Sequence, residues 1–124
     1  MYLLLVDDDV GFTSLFRMEL EDQGHRTDIA FNGFDGSSLA LKNKYDVIIL
    51  DLMLPGMNGL HICRKLRKHG VETPVLLISS LDSREEEKAG ISAGADAFLG
   101  KPFTFEELYR KIIMLDRKHR ETRT

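Results

Sequence analysis

The 124-residue chain is 43% hydrophobic and carries a formal net charge of −3 at pH 7. This length and apolar content suit one globular domain that can bury a core of its own. Charges of both signs are interspersed, so we expect no direct nucleic acid binding by this domain and no membrane contact. A single cysteine, Cys63, excludes an internal disulfide, and no signal peptide is recognisable, so we expect a cytoplasmic protein.

A strand and a helix are predicted at the start of the chain. The apolar run 2–6 is too short for most helices and predicts a buried strand. Three carboxylates follow it at 7–9, and the last of them, Asp9, can cap the next helix. Gly24 ends that helix. Its predicted apolar face consists of Phe12, Leu15, Phe16 and Met18 or Leu20.

An edge strand and a second helix come next. Residues 26–31 alternate polar and apolar side chains, as a half-buried strand would, and Asn32 with Gly33 breaks the pattern. The helix predicted over 34–42 is weakened by Gly36 and two serines.

The third strand is the most informative stretch of the sequence. Four consecutive aliphatic residues at 47–50 predict a central parallel strand covered by helices on both faces, and the strand ends at Asp51. The segment 55–59, with one proline and two glycines, then turns the chain sharply. A carboxylate at this place costs desolvation energy unless a positive group pairs with it. Asp51 therefore indicates a site, although this stretch alone fits an aspartate that only caps a turn.

The next three elements are a helix, a strand and a thinly apolar helix. Leu60, Cys63 and Leu66 have helical spacing, and the basic run after Cys63 is expected to face solvent and complement the helix dipole before Gly70. Residues 74–80 predict another doubly buried strand that ends in hydroxyl groups. A capping box at 83–86 opens a helix whose weak apolar stripe is Ala89, Ile91 and Ala93.

The chain closes with a short strand and a long helix. The strand 97–99 leads to Lys101, and Pro102 prevents the preceding residue from being helical. A second capping box at 104–107 opens the last helix, whose buried stripe is Leu108, Ile112 and Leu115. Apolar periodicity is lost after Asp116. We therefore divide the chain into a domain over 1–116 and a segment over 117–124 that holds the helix end and a linker or tail.

Five strands alternating with five helices predict an α/β fold, a doubly wound parallel sheet with helices on both faces. Ligands in such sheets bind at the carboxyl ends of the strands. Four predicted strands carry polar groups there, namely Asp7 and Asp8, Asp51, Ser79 and Ser80, and Lys101.

These groups suit phosphate chemistry. Crowded carboxylates repel one another unless a cation joins them, and a set of oxygen ligands suits Mg²⁺. An ammonium and a hydroxyl beside that metal can stabilise the charged oxygens of a transferred phosphoryl group. The sequence thus predicts an acceptor site for phosphate.

The chain resembles a response-regulator receiver domain of two-component signalling over about residues 2–115. The likeness rests on Asp7 with Asp8, Asp51 with the proline and glycine downstream, Ser79, and Lys101 followed by Pro-Phe. Any one of these motifs would be weak alone, but together they are specific. The resemblance implies a flavodoxin-like strand order of 2-1-3-4-5.

The resemblance also implies roles for individual residues. Asp51 would accept phosphate from the phosphohistidine of a sensor histidine kinase or phosphotransfer protein, and Lys101 would contact the phosphoryl oxygens. Asp8, Asp51 and the Met53 backbone carbonyl would hold Mg²⁺, which Mn²⁺ can replace, with Asp7 acting largely through water. Ser79 and Phe98 would form the switch pair that moves the face made by helix 4, strand 5 and helix 5.

The output is less constrained by the sequence. Receivers of transcription factors usually carry two adjacent acids before strand 5, whereas here Asp96 is followed by Ala97, which puts their form of homodimer in doubt. Glu107 and Lys111 can contribute to a phosphorylation-dependent dimer, but a solvated role is the simpler interpretation. An output domain beyond Thr124 is a further partner to expect.

Two rival functions fit parts of the same pattern. A haloacid-dehalogenase-like phosphatase would use Asp7 and Asp9 as nucleophile and acid, but such enzymes usually add a cap and a further acidic pair. A pseudo-receiver would bind partners without phosphorylation, and the complete acidic set argues against it.

The lifetime of the phosphorylated state can also be predicted. Met53 and Leu81 lie two residues beyond Asp51 and Ser79, at positions that flank the phosphoryl group in receivers. Their apolar side chains cannot orient a hydrolytic water. We therefore expect slow autodephosphorylation, which suits a slow output such as transcription regulation.

Overall fold

The computed structural model describes residues 1–80 and 84–122. Strands and helices alternate along the chain, as the sequence predicts. Their bounds are β1 Tyr2–Val6, α1 Val10–Asp22, β2 Arg26–Ala30, α2 Gly33–Lys42, β3 Val47–Asp51, α3 Gly59–Lys68, β4 Val75–Ser79, α4 Arg84–Ser92, β5 Ala97–Gly100 and α5 Phe105–Thr122.

The strands form one parallel sheet in the order β2-β1-β3-β4-β5. This confirms the predicted doubly wound α/β class and its flavodoxin-like order. β3 and β4 are buried along their whole length, because helices cover both faces of the central strands. β2 lies at an edge and is only partly buried, which agrees with its alternating sequence.

Two apolar layers hold the sheet between its helices. Alternate side chains of each strand point to opposite faces, so Leu4 and Leu50 enter one layer while Leu5 and Ile49 enter the other. The first layer includes side chains of α2 and α3, and the second includes side chains of α1 and α5. Cys63 is a fully buried member of the first layer.

Two helix faces differ from the sequence prediction. In α1 the buried residues are Thr13, Phe16 and Leu20, whereas Leu15 and Met18 are 54% and 63% exposed. A helix turns by about 100° per residue, so Leu15 and Met18 do not lie on the face that Phe16 and Leu20 share. When that face packs against the sheet, Leu15 and Met18 point toward solvent. In α4 the predicted stripe is wrong at Ile91, which is exposed, and the buried residue within that helix is Gly90.

Helix termini follow the capping signals. The Asp9 side chain accepts a hydrogen bond from Phe12 N, so the predicted cap of α1 is confirmed. At α5 the Thr104 hydroxyl accepts from Glu107 N and the Glu107 carboxylate accepts from Thr104 N, which is the predicted capping box. The capping box predicted at 83–86 begins at Ser83, which lies outside the described residues.

The last helix buries its predicted stripe of Leu108, Ile112 and Leu115 and continues past Asp116 to Thr122. The boundary between a domain at 1–116 and a tail at 117–124 stays a prediction. None of the helices in the described ranges is long and apolar enough to cross a bilayer.

Candidate functional site

Three carboxylates meet at the carboxyl ends of β1 and β3. Asp7, Asp8 and Asp51 each offer one carboxylate oxygen, and these oxygens lie within 4.8 Å of one another. Asp7 is fully buried and Asp51 is 6% exposed, whereas Asp8 faces solvent. The sheet order causes this convergence, because β1 and β3 are hydrogen-bonded neighbours whose ends lie side by side.

Two close contacts fix the chain that follows Asp51. Met53 N donates a 3.1 Å hydrogen bond to Asp51 Oδ1, which holds the first turn of the loop. Gly59 begins α3 so close to the strand end that an added Cβ would lie 2.6 Å from the Asp51 carbonyl oxygen. A larger residue at Gly59 would push α3 away from the site.

Lys101 brings a positive charge from β5 to the carboxylates. Its backbone N donates to the Ser79 carbonyl at 2.7 Å, which places the residue beside the end of β4. Its Nζ lies 2.8 Å from Asp7 Oδ2 and 3.5 Å from Asp51 Oδ2. The peptide bond from Lys101 to Pro102 is cis. In this structure the ammonium therefore pairs more closely with Asp7 than with Asp51.

The electrostatics of the cluster favour added positive charge. Burial raises the pKa of Asp51 to about 6, and the Asp7 charge adds to the increase, while the Met53 N–H and Lys101 oppose it. Burial lowers the pKa of Lys101, but the hydrogen bond to Asp7 and the charges of Asp51 and Asp7 outweigh it, so the net shift is upward. Lys101 thus pairs with two of the three carboxylates, Asp7 and Asp51.

The hydroxyl and aromatic residues predicted for switching lie on neighbouring strands. Ser79 is fully buried at the end of β4. Phe98 is partly buried on β5, beside Leu77 in the sheet, and packs against the apolar layer that contains α3. Met53 is 58% exposed next to Asp51. Leu81, its predicted counterpart, lies outside the described residues.

Sequence reasoning missed an aromatic contact at this site. The Lys101 ammonium lies over the Phe12 ring, 4.9 Å from its centroid, in addition to its two carboxylate partners. The Phe12 ring also packs against Phe16 and Phe103. The sequence treats Phe12 only as a core residue, because no local pattern relates it to a lysine so far along the chain.

The sequence prediction is also wrong for Arg67. The sequence predicts that the basic run of α3 faces solvent, but Arg67 donates hydrogen bonds to the carbonyls of Val71, Thr73 and Gly94 and to the Asp96 carboxylate. These acceptors lie in the loop before β4 and the connection before β5, which only the tertiary fold brings to α3. Arg67 is therefore a structural clamp and not a solvated charge.

The donor set fits a hard divalent cation. Three carboxylates supply oxygen ligands of the kind that Mg²⁺ prefers, and burial makes the charge on Asp51 costly until a cation offsets it. The Lys101 ammonium neutralises only part of the negative charge of the three carboxylates. A second positive charge is therefore still favourable there.

Comparison with known families agrees with this arrangement. A family model described as the response regulator receiver domain matches residues 3–113. Response regulator ArlR of Staphylococcus saprophyticus is 40% identical over 110 residues, which cover 89% of this chain and 50% of ArlR. ArlR of Staphylococcus aureus matches with the same identity and coverage. The chain thus spans about half the length of the curated relatives it matches.

Solved structures share the fold over nearly the whole chain. The receiver domain of Francisella response regulator 1452 is 35% identical with a TM-score of 0.90, and the match covers 95% of this chain and 98% of that one. Chemotaxis protein CheY4 of Vibrio cholerae is 29% identical with a TM-score of 0.86, covering 92% and 97%.

Proposed function

Because the chain belongs to the response regulator receiver domain family of two-component systems, we propose that it is a phosphorylation-dependent signalling switch whose phosphoacceptor is Asp51. The observation that carries this proposal is the position of Asp51, at the end of a central strand, with two further carboxylates and a lysine around it. Its Oδ1 accepts from Met53 N while its Oδ2 faces the Lys101 ammonium. A nucleophilic carboxylate is thereby held in one orientation.

The proposed reaction is transfer of a phosphoryl group from a phosphohistidine of a sensor histidine kinase or phosphotransfer protein. An Asp51 carboxylate oxygen forms a bond to phosphorus as the bond from phosphorus to the histidine nitrogen breaks. The nitrogen leaves with the bonding electron pair, and the product is an acyl phosphate on Asp51. Lys101 is placed to meet the phosphoryl oxygens, whose charge its ammonium stabilises.

We assign the metal site of this reaction to Asp7, Asp8, Asp51 and the Met53 backbone carbonyl, with Mg²⁺ as the expected ion and Mn²⁺ as a substitute. Asp8, Asp51 and the Met53 backbone carbonyl are the proposed direct ligands, and Asp7 contributes largely through water. When bound, the ion supplies charge stabilisation for the transferred group. Asp7 and Lys101 form the 2.8 Å ion pair that keeps the remaining cation beside the site.

The proposed output follows from the switch pair. Ser79 ends β4 beside the site, and Phe98 lies on the neighbouring β5. We propose that a shift of the hydroxyl toward a phosphoryl group allows Phe98 to turn inward and changes the face formed by α4, β5 and α5. That face would then control an output domain beyond Thr124, a partner or a homodimer. Slow autodephosphorylation would suit regulation of transcription, and we propose a cytoplasmic location for the protein.

The geometry supports this function over a phosphatase that uses Asp7 as nucleophile. Asp7 Oδ1 accepts from Asp9 N and its Oδ2 pairs with Lys101, so both oxygens of Asp7 are engaged. Asp9, the acid that such a phosphatase would need, is engaged in capping α1. The Asp51 oxygens have comparable partners, but Asp7 is fully buried whereas Asp51 is 6% exposed, so Asp51 is the more accessible nucleophile.

The test is phosphorylation of the purified domain by a small phosphodonor. We expect acetyl phosphate to label the wild type only with Mg²⁺ or Mn²⁺, and Asp51→Asn to abolish the label. Asp22→Asn, at an exposed carboxylate in the last turn of α1, is the matched control and should label normally. Undiminished labelling of Asp51→Asn, or labelling in EDTA, would rule out this assignment, and a label retained on Asp7 would favour the phosphatase.

A second experiment tests the switch. Amide hydrogen exchange with and without a beryllofluoride phosphoryl mimic should change in α4, β5 and the exposed side of α5. Lys101→Ala should keep the fold but lose this response, because its ammonium connects the phosphoryl group to β5. Changes confined to α1 and α2, or equal responses in Lys101→Ala and wild type, would contradict the proposed coupling.

A further inference from the structure

We propose that Phe12 is a positioning residue for phosphoryl transfer, and that the face of its ring holds the Lys101 ammonium in place between Asp7 and Asp51. This inference rests on the proposed function, because it assigns a role toward the lysine that meets the phosphoryl group. Phe12 would act through Lys101 and would not touch the reacting atoms itself.

The geometry places the ring where it can restrict the lysine. Lys101 Nζ lies 4.9 Å from the centroid of the Phe12 ring, within the range of about 6 Å over which a cation is attracted to an aromatic face. The same nitrogen lies 2.8 Å from Asp7 and 3.5 Å from Asp51. The ammonium therefore has a ring on one side and carboxylates on another, and the Lys101 side chain is only 25% exposed.

The backbone that carries Phe12 is tied to the same carboxylate cluster. Phe12 N donates to Asp9 Oδ1 at 3.0 Å, and Asp9 N donates to Asp7 Oδ1 at 2.9 Å. Asp7 Oδ2 in turn accepts from Lys101. The contacts thus form a closed circuit from Asp7 through Asp9 and Phe12 to Lys101 and back to Asp7.

Aromatic neighbours fix the ring itself. The Phe12 ring packs against Phe16 at 4.5 Å between centroids and against Phe103 at 5.8 Å, edge to face. Phe103 follows Lys101 by two residues, so the loop that carries the lysine also packs against the ring that covers it. A lysine side chain is long and flexible, and three fixed partners reduce the number of positions its ammonium can occupy.

A fixed ammonium should matter most when charge develops on the phosphoryl oxygens. An oriented charge needs no reorganisation as the bond to Asp51 forms, so it lowers the barrier more than it improves binding of the donor. Weakening the ring's attraction should therefore reduce the maximal rate of phosphorylation and leave the half-saturating donor concentration nearly unchanged.

The test replaces Phe12 by a series of phenylalanines carrying one, two or three ring fluorines. Fluorine withdraws electron density from the ring face while nearly preserving its shape, so the attraction for a cation falls without loss of packing. The same series at Phe16 is the matched control, because that ring belongs to the same aromatic cluster. Phosphorylation by acetyl phosphate with Mg²⁺ is measured as a function of donor concentration.

We expect the maximal rate to fall stepwise at position 12, by roughly threefold to tenfold for the trifluorinated ring. The half-saturating acetyl phosphate concentration should stay within about twofold, and the series at position 16 should be flat. Phe12→Tyr should retain the rate, since its ring offers a similar face, whereas Phe12→Leu should fall by about as much as the trifluorinated ring.

A second readout does not depend on activity or on the metal. Protons on Lys101 Cε should show a ring-current shift by NMR in metal-free wild type, and this shift should vanish in Phe12→Leu but persist in Phe16→Leu. Folding of each variant is checked by denaturation.

The outcomes separate the two proposals. If the wild type labels normally but ring fluorination at position 12 leaves the maximal rate unchanged, the role of Phe12 is overturned and the proposed function stands. A wild type that takes up no phosphate would overturn the proposed function, and the role of Phe12 with it. Fluorination effects of equal size at positions 12 and 16 would show a packing effect and would also overturn the role.

Discussion

The Arg67 guanidinium donates a 2.8 Å hydrogen bond to the Asp96 carboxylate, and this pair joins α3 to the start of β5. The same carboxylate oxygen accepts from Val75 N at 2.8 Å, so Asp96 also fixes the start of β4. Arg67 further reaches the carbonyls of Val71, Thr73 and Gly94. Asp96 is thus engaged within its own domain, at the sequence position where transcription-factor receivers place acids near a dimer interface.

We predict that Arg67→Met lowers the free energy of unfolding by about 2–4 kcal/mol, because it leaves several carbonyls and a carboxylate without their donor. Arg67→Lys should recover only part of the loss, since one ammonium cannot reach acceptors spread around a planar guanidinium. Urea denaturation measures the change. Arg64→Met, at an exposed position of α3, is the control and should stay within about 0.5 kcal/mol of wild type. Similar effects at both positions would contradict the clamp.

Because the pKa of Asp51 is raised, we predict that the negative charge of the Asp51 carboxylate destabilises the folded, metal-free protein. A carboxyl whose pKa is about 6 in the fold, against an ordinary 3.8, binds more protons when folded than when unfolded. Stability should therefore fall as pH rises from about 4 to 6 and stay low above that window. Asp51→Asn removes this effect and should raise the free energy of unfolding at pH 7 by on the order of 1–3 kcal/mol in EDTA.

Denaturation of wild type and Asp51→Asn between pH 4 and pH 8 checks this prediction. The difference between them should grow with pH through the window and then level off. Mg²⁺ should stabilise the wild type more than the variant. If Asp51→Asn is less stable than wild type in EDTA at pH 7, the charge on Asp51 does not destabilise the fold and the prediction is wrong.

Thr27 offers a test of buried polar groups. Its hydroxyl is buried and, among the described residues, has no hydrogen-bond partner. Thr27→Val keeps the branched shape and removes an unsatisfied group, so we expect a gain of about 0.5–1.5 kcal/mol in the free energy of unfolding. Thr13→Val is the matched control: that buried hydroxyl donates to the Val10 carbonyl at 3.1 Å, and its loss should destabilise by about 1 kcal/mol. Thermal or urea denaturation should show a higher free energy of unfolding for Thr27→Val and a lower one for Thr13→Val.

The lifetime of the aspartyl phosphate is a fourth prediction. Met53 lies exposed beside Asp51 and cannot orient a water molecule for in-line attack. We expect Met53→Asn with Leu81→Glu to accelerate hydrolysis by about tenfold, or roughly 1.4 kcal/mol of barrier. The measurement is decay of labelled protein in Mg²⁺ buffer after removal of the donor. A double variant that decays no faster than wild type would refute the argument.

The sequence by itself determined the alternation of strands and helices and the edge of the sheet at which Asp7, Asp51, Ser79 and Lys101 lie. Those features depend on local patterns: aliphatic runs that suit buried strands, caps that start helices, and polar residues directly after each run. Such patterns depend on neighbours in the chain, and so they can be read without the fold.

Only the tertiary structure decided which partners these residues take. Lys101 pairs with Asp7, 94 positions away, more closely than with Asp51, and it also lies over Phe12. Arg67 meets carbonyls that its own helix does not contain, and Leu15 faces solvent although it has an apolar side chain. These outcomes depend on the order of the strands in the sheet and on the packing of helices against it. Both are set by contacts between elements distant in sequence, so local sequence patterns do not show them.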